Sequence, residues 1–461
     1  MSTTKVSPFA NVSARLERLP MTRYQRKIFA IVATAWLFDS MDLAALTFVL
    51  GSIKAEFGLS ATQTGLLASS SFVGMFLGAG VAGLLSDRFG RKPIFQISMI
   101  IWGVGSLLCG FATDYESLMW YRVVLGIGMG MELPIALALV SEFVPTESRG
   151  RYSAILEGFL PVGFVVGGTL IYFLLPAVGW RGVFIVLAVP AAFLFVIRRM
   201  VPESPRWLEA TGNQAEADRV MCTIEGQVLQ ASGARSLPPV AAGANDGVLV
   251  KAAGMLETFR ELWAPAYAKR TAMLWIVWFF TLLGYYGLTS WLGALLQQAG
   301  YDVTKSVFYT IIISCAGIPG FIFSAWLLDA VGRKPASIGM LLCSALAAYI
   351  YGQCATHHVA VAWLITAGLF MQFFFFGMWC VIYAYTPELY PTRARATGSG
   401  IASSVGRLGS IIGPFGLGLA LPVIGQGGVF AVGAGCFCIS AVTILIMGIE
   451  TRGLSLEKIS H

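Results

Sequence analysis

Six charged side chains interrupt apolar segments of this sequence, where they could bind ions or carry protons. They are Asp39, Asp42, Arg122, Glu132, Glu157 and Arg407. A carboxyl group can gain and lose a proton, whereas an arginine keeps its charge and therefore needs an anion beside it. That anion is either an internal carboxylate or the carboxylate of a ligand, held by two parallel hydrogen bonds. The residue types predict anion binding and proton transfer.

The composition indicates that these charges lie within a lipid bilayer. Of the 461 residues, 57% are hydrophobic and 12% are charged, and the mean hydropathy is +0.75. Soluble domains carry about twice that share of charge. A charge at the bilayer centre costs about 2.5 to 3.5 kcal/mol on insertion scales, so each of the six should face the interior of a helix bundle.

Runs of roughly twenty mainly apolar residues recur along the chain, each long enough to cross the bilayer as a helix. They predict an all-α membrane protein with twelve transmembrane helices at 28–53, 64–86, 94–112, 118–141, 152–175, 180–199, 271–298, 305–330, 336–355, 359–386, 396–423 and 427–448. The first 27 residues show no short apolar region followed by a cleavage site, so we expect the first span to stay as an anchor.

Lysine and arginine lie mainly on one side of the predicted spans, which predicts the orientation. The basic side comprises the N-terminus, 87–93, 142–151, 200–270, 332–335, 387–395 and the C-terminal tail. The other side holds only Lys54, Arg181 and Lys305. Both termini and the long loop are therefore predicted to be cytoplasmic. The net charge of +7 follows from this topology and gives no reason to expect a nucleic-acid partner.

The cysteines and histidines indicate no metal site, cofactor or disulfide framework. Seven of the eight cysteines are scattered through predicted spans, and Cys222 is the exception. His357, His358 and His461 all lie outside the predicted spans. A proton carrier inside the membrane must therefore be a carboxyl group.

An internal repeat divides the chain into two halves. GLLSDRFGRKPI at 83–94 matches AWLLDAVGRKPA at 325–336, so that Asp87 and Asp329 are 242 positions apart. EFVPTESRGR and ELYPTRARAT, which start at Glu142 and Glu388, form a second matching pair at a spacing of 246. The predicted domains are a cytoplasmic segment 1–27, a six-helix bundle 28–199, a cytoplasmic linker with amphipathic helices 200–270, a second six-helix bundle 271–448 and a cytoplasmic tail 449–461.

The D-R-x-G-R-K loop, its counterpart in the second half and RVVLGIGMG at 122–130 resemble the signatures of the major facilitator superfamily over the whole chain. PESPRWL at 202–208 and ETRGLSLEKI at 450–459 resemble cytoplasmic segments of the branch that contains sugar porters, organic-ion transporters and bacterial niacin permeases. The resemblance implies a secondary transporter whose two pseudo-symmetric halves hold substrate between them.

The resemblance also implies a gating network that holds the halves together on the cytoplasmic side when the carrier faces outward. Its predicted members are Asp87, Arg88, Arg91, Glu142, Arg149, Asp329, Arg333, Glu388 and Arg395. Exposed ion pairs contribute only about 0 to 1 kcal/mol each, which suits contacts that must break in every cycle. The alternative is that the basic loops only set the topology.

The sequence Asp39-Ser-Met-Asp42 resembles the D-G-x-D pattern in the first span of aromatic-acid/proton symporters, with Ser40 in place of the glycine. By this resemblance one of the two aspartates carries the proton; the alternative is that either one only fixes helix packing. Arg122 begins an R-x-x-x-G pattern that the superfamily often ties to proton movement. Glu132 and Glu157 are further proton-coupling candidates, because either could balance Arg122 or Arg407.

The GRLGSI stretch around Arg407 resembles the eleventh span of vertebrate organic-anion transporters, whose arginine there is associated with anionic substrates. The alternative is a purely structural pair between Arg407 and an internal acid. Aromatic and amide side chains of spans seven and ten complete the predicted substrate site, because they offer a flat contact and hydrogen bonds together. They are Tyr285, Tyr286, Trp291, Gln297, Trp379 and Tyr383, beside Arg407, Asp39 and Asp42.

These features predict a proton-coupled importer of a small aromatic carboxylate, with nicotinate as the leading candidate, that works by alternating access. The G-P-x-x-G-G motif of antiporters is absent from span five, which favours uptake. We expect a monomer in the bacterial cytoplasmic (inner) membrane. The alternatives are a transporter of sugars or organic cations and, from another class, a receptor that does not transport. No nucleotide loop, metal cluster or nucleophile–base pair indicates an enzyme.

Overall fold

The computed structural model is helical throughout the residues that it describes, which are 12–233, 236–240, 255–265, 267–298, 300–357, 359–390 and 395–452. No strand occurs in these ranges, so the all-α prediction is confirmed. Ten helical segments of the described chain are long and apolar enough to cross a membrane.

The described residues of the first half form seven α-helices. They are α1 (Val12–Glu17), α2 (Arg23–Phe57), α3 (Ala61–Phe89), α4 (Arg91–Gly110), α5 (Tyr115–Phe143), α6 (Thr146–Ala188) and α7 (Leu194–Met200). A short 3-10 helix, Val189–Phe193, joins α6 to α7. Most of these helices extend beyond the predicted spans, because the hydrophobic run marks only the part that lies in hydrocarbon.

Ten helices lie in the part of the linker and second half that the structure describes. They are α8 (Pro205–Ala210), α9 (Gln214–Ser232), α10 (Met255–Leu262), α11 (Ala268–Thr289), α12 (Leu292–Gln298), α13 (Val303–Cys315), α14 (Gly317–Val331), α15 (Arg333–Thr356), α16 (Val361–Glu388) and α17 (Arg395–Met447). The predicted span 271–298 is broken at residues 290–291, and the span 305–330 is broken at residue 316. Residues 241–254 of the linker and 453–461 of the tail lie outside the described residues.

Short polar residues begin three of the long helices on one side of the bundle. Ser60, ahead of α3, accepts a hydrogen bond from Gln63 N at 3.2 Å. Asp114, ahead of α5, accepts one from Ser117 N at 2.9 Å. Asp302, ahead of α13, accepts one from Lys305 N at 2.8 Å. Such caps satisfy N–H groups that the helix leaves unpaired. We name this side the far face. The side that carries the repeated Gly-Arg-Lys sequences, at 90–92 and 332–334, we name the basic face.

The sequence repeat is also a repeat of backbone conformation. Gly90 (φ 103°) separates α3 from α4, and Gly332 (φ 102°) separates α14 from α15. This left-handed region is open to glycine at little cost, which explains why glycine stands at both positions. The two halves therefore share the same turn at the basic face.

A carboxylate from a distant segment caps the helix that follows each of these turns. Glu203 accepts a hydrogen bond from Arg91 N at 3.0 Å, and Glu450 accepts one from Arg333 N at 3.0 Å. Burial disfavours the charged form of Glu450, but hydrogen bonds from backbone N–H groups outweigh this effect and lower its pKa. The two acids place the linker and the tail at the basic face.

The long helix α6 bends at Gly179 (φ 64°, ψ 179°) at the far face. Directly after the bend, Trp180 Nε1 donates a hydrogen bond to Glu56 Oε2 at 2.6 Å, at the far end of α2. The chain is back at the basic face by Glu203, which caps α4. The segment that starts with α6 thus reaches the far face and returns.

The long helix α17 bends in the same way at Gly425 (φ 67°, ψ −178°), 246 positions after Gly179. Gln426 Nε2 donates a hydrogen bond to Leu295 O at 3.5 Å, close to the bend. Beyond the end of the helix, Gly448 O accepts a hydrogen bond from Lys334 Nζ at 2.8 Å at the basic face. Both halves therefore end with the same bent pair of helical segments.

The halves touch mainly through α3 with α17, α6 with α13 and α2 with α12. Towards the far face this interface is tight: a Cβ on Gly65 of α3 would lie 2.6 Å from Pro414 O of α17. One turn further in, Ser69 Oγ donates a hydrogen bond to Ile411 O at 2.6 Å.

Towards the basic face the same two helices separate. A Cβ on Gly80 or Gly83 of α3, or on Gly400 of α17, would meet no atom within 4 Å. The interface is therefore closed at the far face and open at the basic face.

Candidate functional site

The charged side chains of the predicted spans lie between helices. Five of them are buried, with exposed fractions of 0 to 7%: Asp39, Asp42, Arg122, Glu132 and Glu157. The sixth, Arg407, is half-buried. The high cost of a charge in lipid accounts for this placement.

Asp42 on α2 and Arg122 on α5 form a pair inside the first half. Arg122 Nη1 lies 4.0 Å from Asp42 Oδ1, and the guanidinium carbon lies 5.6 Å from the ring centroid of Phe184. Ser106 and Trp102 border the carboxyl group. Because charge-assisted hydrogen bonds are about 2.7 to 2.9 Å long, the two charges attract each other without being locked together.

Glycines bring α5 close to its neighbours around Arg122. A Cβ on Gly126 would collide with the backbone of Ser71 on α3, and one on Gly128 would collide with Trp102 on α4. Small residues permit such close approach of membrane helices. The glycines of the R-x-x-x-G stretch thus fix the helix that carries Arg122 inside the bundle.

Asp39 on α2 interacts electrostatically with Glu132 on α5, and two charged carboxylates there repel each other. Both carboxylate oxygens of Asp39 are buried and accept no hydrogen bond from any described residue. A proton on either group would remove the repulsion. Sequence reasoning identified both acids but not that they face each other.

Arg407 lies near the middle of the bilayer in the second half. It is 12 residues beyond Arg395, the first residue of α17, which corresponds to about 18 Å of helix in a hydrocarbon core of about 30 Å. Within the described residues, it makes no hydrogen bond and has no carboxylate oxygen within 4.0 Å. Its charge nevertheless acts on Asp39 and Glu157 of the first half.

Four aromatic side chains predicted for the site lie together in the second half. Tyr285 packs against Tyr286 and Trp379 with ring centroids 4.9 and 5.2 Å apart, and Tyr383 stacks on Trp379 at 5.5 Å. Tyr286 and Tyr383 interact electrostatically with Arg407. Flat contacts and hydrogen-bonding groups therefore lie within electrostatic range of a permanent cation.

Further aromatic residues pack against this cluster, among them Phe375 and Phe376, and the sequence analysis missed two that matter for its shape. The Trp278 ring lies 5.1 Å from Tyr383, and Phe72 of the first half lies 4.5 Å from Tyr286. Trp278 precedes Tyr285 by seven residues, a helical spacing that could have identified it. Phe72 carries no such signal, because its contact joins the two halves.

Trp291 and Gln297 lie away from this cluster, at the far face. Trp291 Nε1 donates a hydrogen bond to Pro414 O at 3.1 Å, and the Gln297 side chain packs against Gly51 at the far end of α2. Both residues lie where the halves close, not beside Arg407.

A small cavity lies between the aromatic cluster and the first half. Its lining includes Arg122, Phe72, Phe164, Tyr286 and Ser290. The cavity has a volume of about 10 Å³, which is about the space for one water molecule.

Most of the predicted gating residues belong to two networks, one in each half, at the basic face. Arg91 Nη1 lies 2.7 Å from Asp87 Oδ1, and Arg91 Nε lies 3.6 Å from Glu142 Oε1. Arg149 interacts electrostatically with Glu142 as well. Arg88 lies over the ring of its neighbour Phe89, with its guanidinium carbon 5.3 Å from the ring centroid.

The second network repeats this arrangement. Arg333 lies 3.6 Å from Asp329 and 3.2 Å from Glu388. The side chain of Arg395 lies outside the described part of the structure. In this conformation each ion pair that we describe joins residues of one half, and the joining of the halves by these groups in another state stays a prediction.

The described ranges contain no group of three or more His, Cys, Asp or Glu side chains that could hold a metal ion. The charged and aromatic groups in the centre of the bundle are suited to binding an organic anion. They also supply carboxyl groups for protons.

Comparison with known proteins adds three findings. The family model described as Major Facilitator Superfamily matches residues 32–414. The niacin transporter NiaP of Acinetobacter baylyi is 35% identical over 451 residues, which are 97% of this chain and 99% of that protein. The 4-hydroxybenzoate transporter PcaK of the same organism is 29% identical over 87% of this chain and 86% of its own length.

Among solved structures, the xylose transporter XylE of E. coli superposes with a TM-score of 0.75 and covers 94% of this chain and 99% of its own. The sequence identity is 20%, so this likeness concerns the fold alone.

Proposed function

Because the chain belongs to the major facilitator superfamily, we propose that it imports a small aromatic carboxylate, namely nicotinate, together with a proton. Arg407 carries the proposal, because this half-buried cation in the centre of the bundle has no ion pair within the described residues. The substrate carboxylate would supply the anion through two parallel hydrogen bonds. The names of the relatives NiaP and PcaK, which refer to niacin and 4-hydroxybenzoate, support this substrate class.

The substrate ring would lie beside the aromatic cluster of the second half. Tyr286 and Tyr383 are half-buried and interact electrostatically with Arg407, so they can contact the ring and donate hydrogen bonds to it. We assign Trp291 and Gln297 to the closure of the far face.

Proton coupling would use the acids of the first half. Asp39 or Asp42 takes up the proton, and Arg122 and Glu132 adjust its binding through their charges. The observation in favour is that both aspartates are buried, because burial disfavours the charged form of a carboxyl group.

Alternating access would follow from rocking of the two halves. The contacts of α6 and α17, which each reach the far face and return, support twelve membrane crossings with both termini on the basic side. We place the basic face in the cytoplasm of a bacterium, with the chain as a monomer in the inner membrane. In that orientation this conformation is open to the cytoplasm, that is, it faces inward. In the outward-facing state the two gating networks would approach each other.

Uptake into proteoliposomes tests this proposal. Labelled nicotinate, benzoate, glucose and choline are supplied with and without an inward proton gradient, and empty liposomes serve as the control. We expect nicotinate to accumulate, faster with the gradient, and glucose and choline to stay outside. Accumulation of glucose or choline, but not of nicotinate, would contradict the substrate class. Nicotinate uptake at the same rate with and without the gradient would contradict proton coupling.

A further inference from the structure

Glu157 is a buried acid of the first half without a partner there. It is 7% exposed, and its Oε1 accepts no hydrogen bond from a described residue. No lysine or arginine nitrogen of the described chain lies within 4.0 Å of it, whereas Asp42 has Arg122 at 4.0 Å. The carboxyl group therefore has hydrogen-bonding capacity that the protein itself does not use.

Glu157 lies at the interface between the halves. The next residue, Gly158, faces α14, since a Cβ there would lie 3.3 Å from Phe321 Cε1. The charge of Glu157 interacts with Arg407, Tyr286 and Tyr383, all from the second half. The acid thus lies at the interface between the halves, within electrostatic range of the guanidinium and the two phenol groups.

The position of Glu157 has a consequence for a ring bound in this space. If the substrate carboxylate lies at Arg407 and the ring beside the tyrosines, another edge of the ring is available to Glu157. A protonated carboxyl group can donate its O–H to a ring nitrogen, whereas an unsubstituted benzene ring offers only C–H groups. A buried polar group that faces C–H loses its hydrogen bonds to water without replacement.

We propose that Glu157 is a specificity-determining residue that donates a hydrogen bond to the ring nitrogen of a pyridine carboxylate held by Arg407. The inference rests on the proposed function, because it needs the substrate carboxylate at Arg407. It goes further in assigning the ring heteroatom to a second residue, on the opposite half of the protein.

Isothermal titration of the purified full-length protein with nicotinate and with benzoate tests this assignment. Wild-type protein should bind nicotinate at least about tenfold more tightly than benzoate, since an unpaired buried polar group is costly. Glu157→Gln keeps an N–H donor and should preserve that ratio. Glu157→Leu removes the polar group, and the ratio should fall to about one with benzoate binding retained or tighter.

The outcomes separate this inference from the proposed function. A Glu157→Leu protein that keeps the wild-type ratio overturns the role of Glu157. Equal wild-type affinities, with both ligands lost in Arg407→Ala, overturn it while the proposed function stands. Binding of neither ligand to wild-type protein overturns both.

A second measurement covers the case in which Glu157→Leu does not fold. Infrared difference spectra of wild-type protein should show a carboxyl C=O band that shifts with nicotinate and not with benzoate. The Glu157→Gln protein should lack this band. A band that persists unchanged in Glu157→Gln belongs to another acid and overturns the assignment.

Discussion

Replacement of Arg407 by alanine should remove most of the affinity for aromatic carboxylates. The side chain is half-buried, has no ion pair among the described residues and interacts electrostatically with two tyrosines. A substrate carboxylate would therefore depend on this one guanidinium for its charge-assisted hydrogen bonds. Lysine at this position should recover only part of the affinity, because an ammonium group cannot offer the planar pair of donors.

The size of the effect follows from the number of bonds and their exposure. Hydrogen bonds to charged groups contribute about 1.5 to 3 kcal/mol each, so two of them contribute about 3 to 6 kcal/mol. Since the guanidinium is only half-buried, water replaces part of the loss, and the lower end of about 3 kcal/mol applies. At about 1.4 kcal/mol per factor of ten, nicotinate should bind about a hundredfold more weakly.

Titration calorimetry with three ligands measures this effect. Nicotinate and benzoate should lose affinity by the same factor, because both carry a carboxylate. Nicotinamide has the same ring as nicotinate without the negative charge, and its binding should be unaffected by the substitution. The matched control is Arg219→Ala, which removes an arginine whose side chain on the linker helix α9 is 80% exposed. Folded Arg407→Ala protein with wild-type nicotinate affinity would refute the assignment of the carboxylate to Arg407.

Three further predictions concern coupling, gating and stability. Asp42→Asn should leave nicotinate affinity within about threefold of wild type, because the shape is kept, but uptake should no longer respond to an inward proton gradient. Gly65→Val should reduce uptake at least about tenfold, because its Cβ would lie 2.6 Å from Pro414 O and prevent closure at the far face; distances between spin labels across that face should increase. Glu450→Gln should lower the melting temperature at neutral pH, because the pKa of Glu450 is lowered in the folded protein by backbone N–H groups.

The pH dependence of the last prediction follows from the sign of the shift. A carboxyl group whose pKa is lowered on folding stabilises the protein above its unfolded value of about 4.3, and this stabilisation disappears as the pH falls through the folded value. The difference in melting temperature between wild type and Glu450→Gln should therefore be largest near neutral pH and vanish in acid. A constant difference would contradict this origin of the effect. For the coupling test, gradient-driven accumulation of nicotinate by the Asp42→Asn protein would contradict the role of Asp42 and would show that another acid carries the proton.

The linear sequence determined the helices, the repeat and the identity of the buried charges. Apolar runs of about twenty residues form helices in lipid, because a helix satisfies its backbone hydrogen bonds within the segment itself. The spacing of 242 positions between Asp87 and Asp329 predicted a repeated turn, and Gly90 and Gly332 have nearly equal φ angles. These features are local, or they recur at a fixed spacing, so the sequence alone is enough to find them.

Only the tertiary structure decided which of these residues meet. It brought Arg407 to Glu157 and Asp39 from 250 and 368 positions away, and it brought Phe72 to Tyr286. It also placed Trp291 at the closed far face, although its residue type suits a substrate site equally well. The physical reason is that helical periodicity fixes which face of its own helix a residue occupies. Which helices pack together, and at which depth the two halves separate, depends on contacts between segments that lie far apart in the chain.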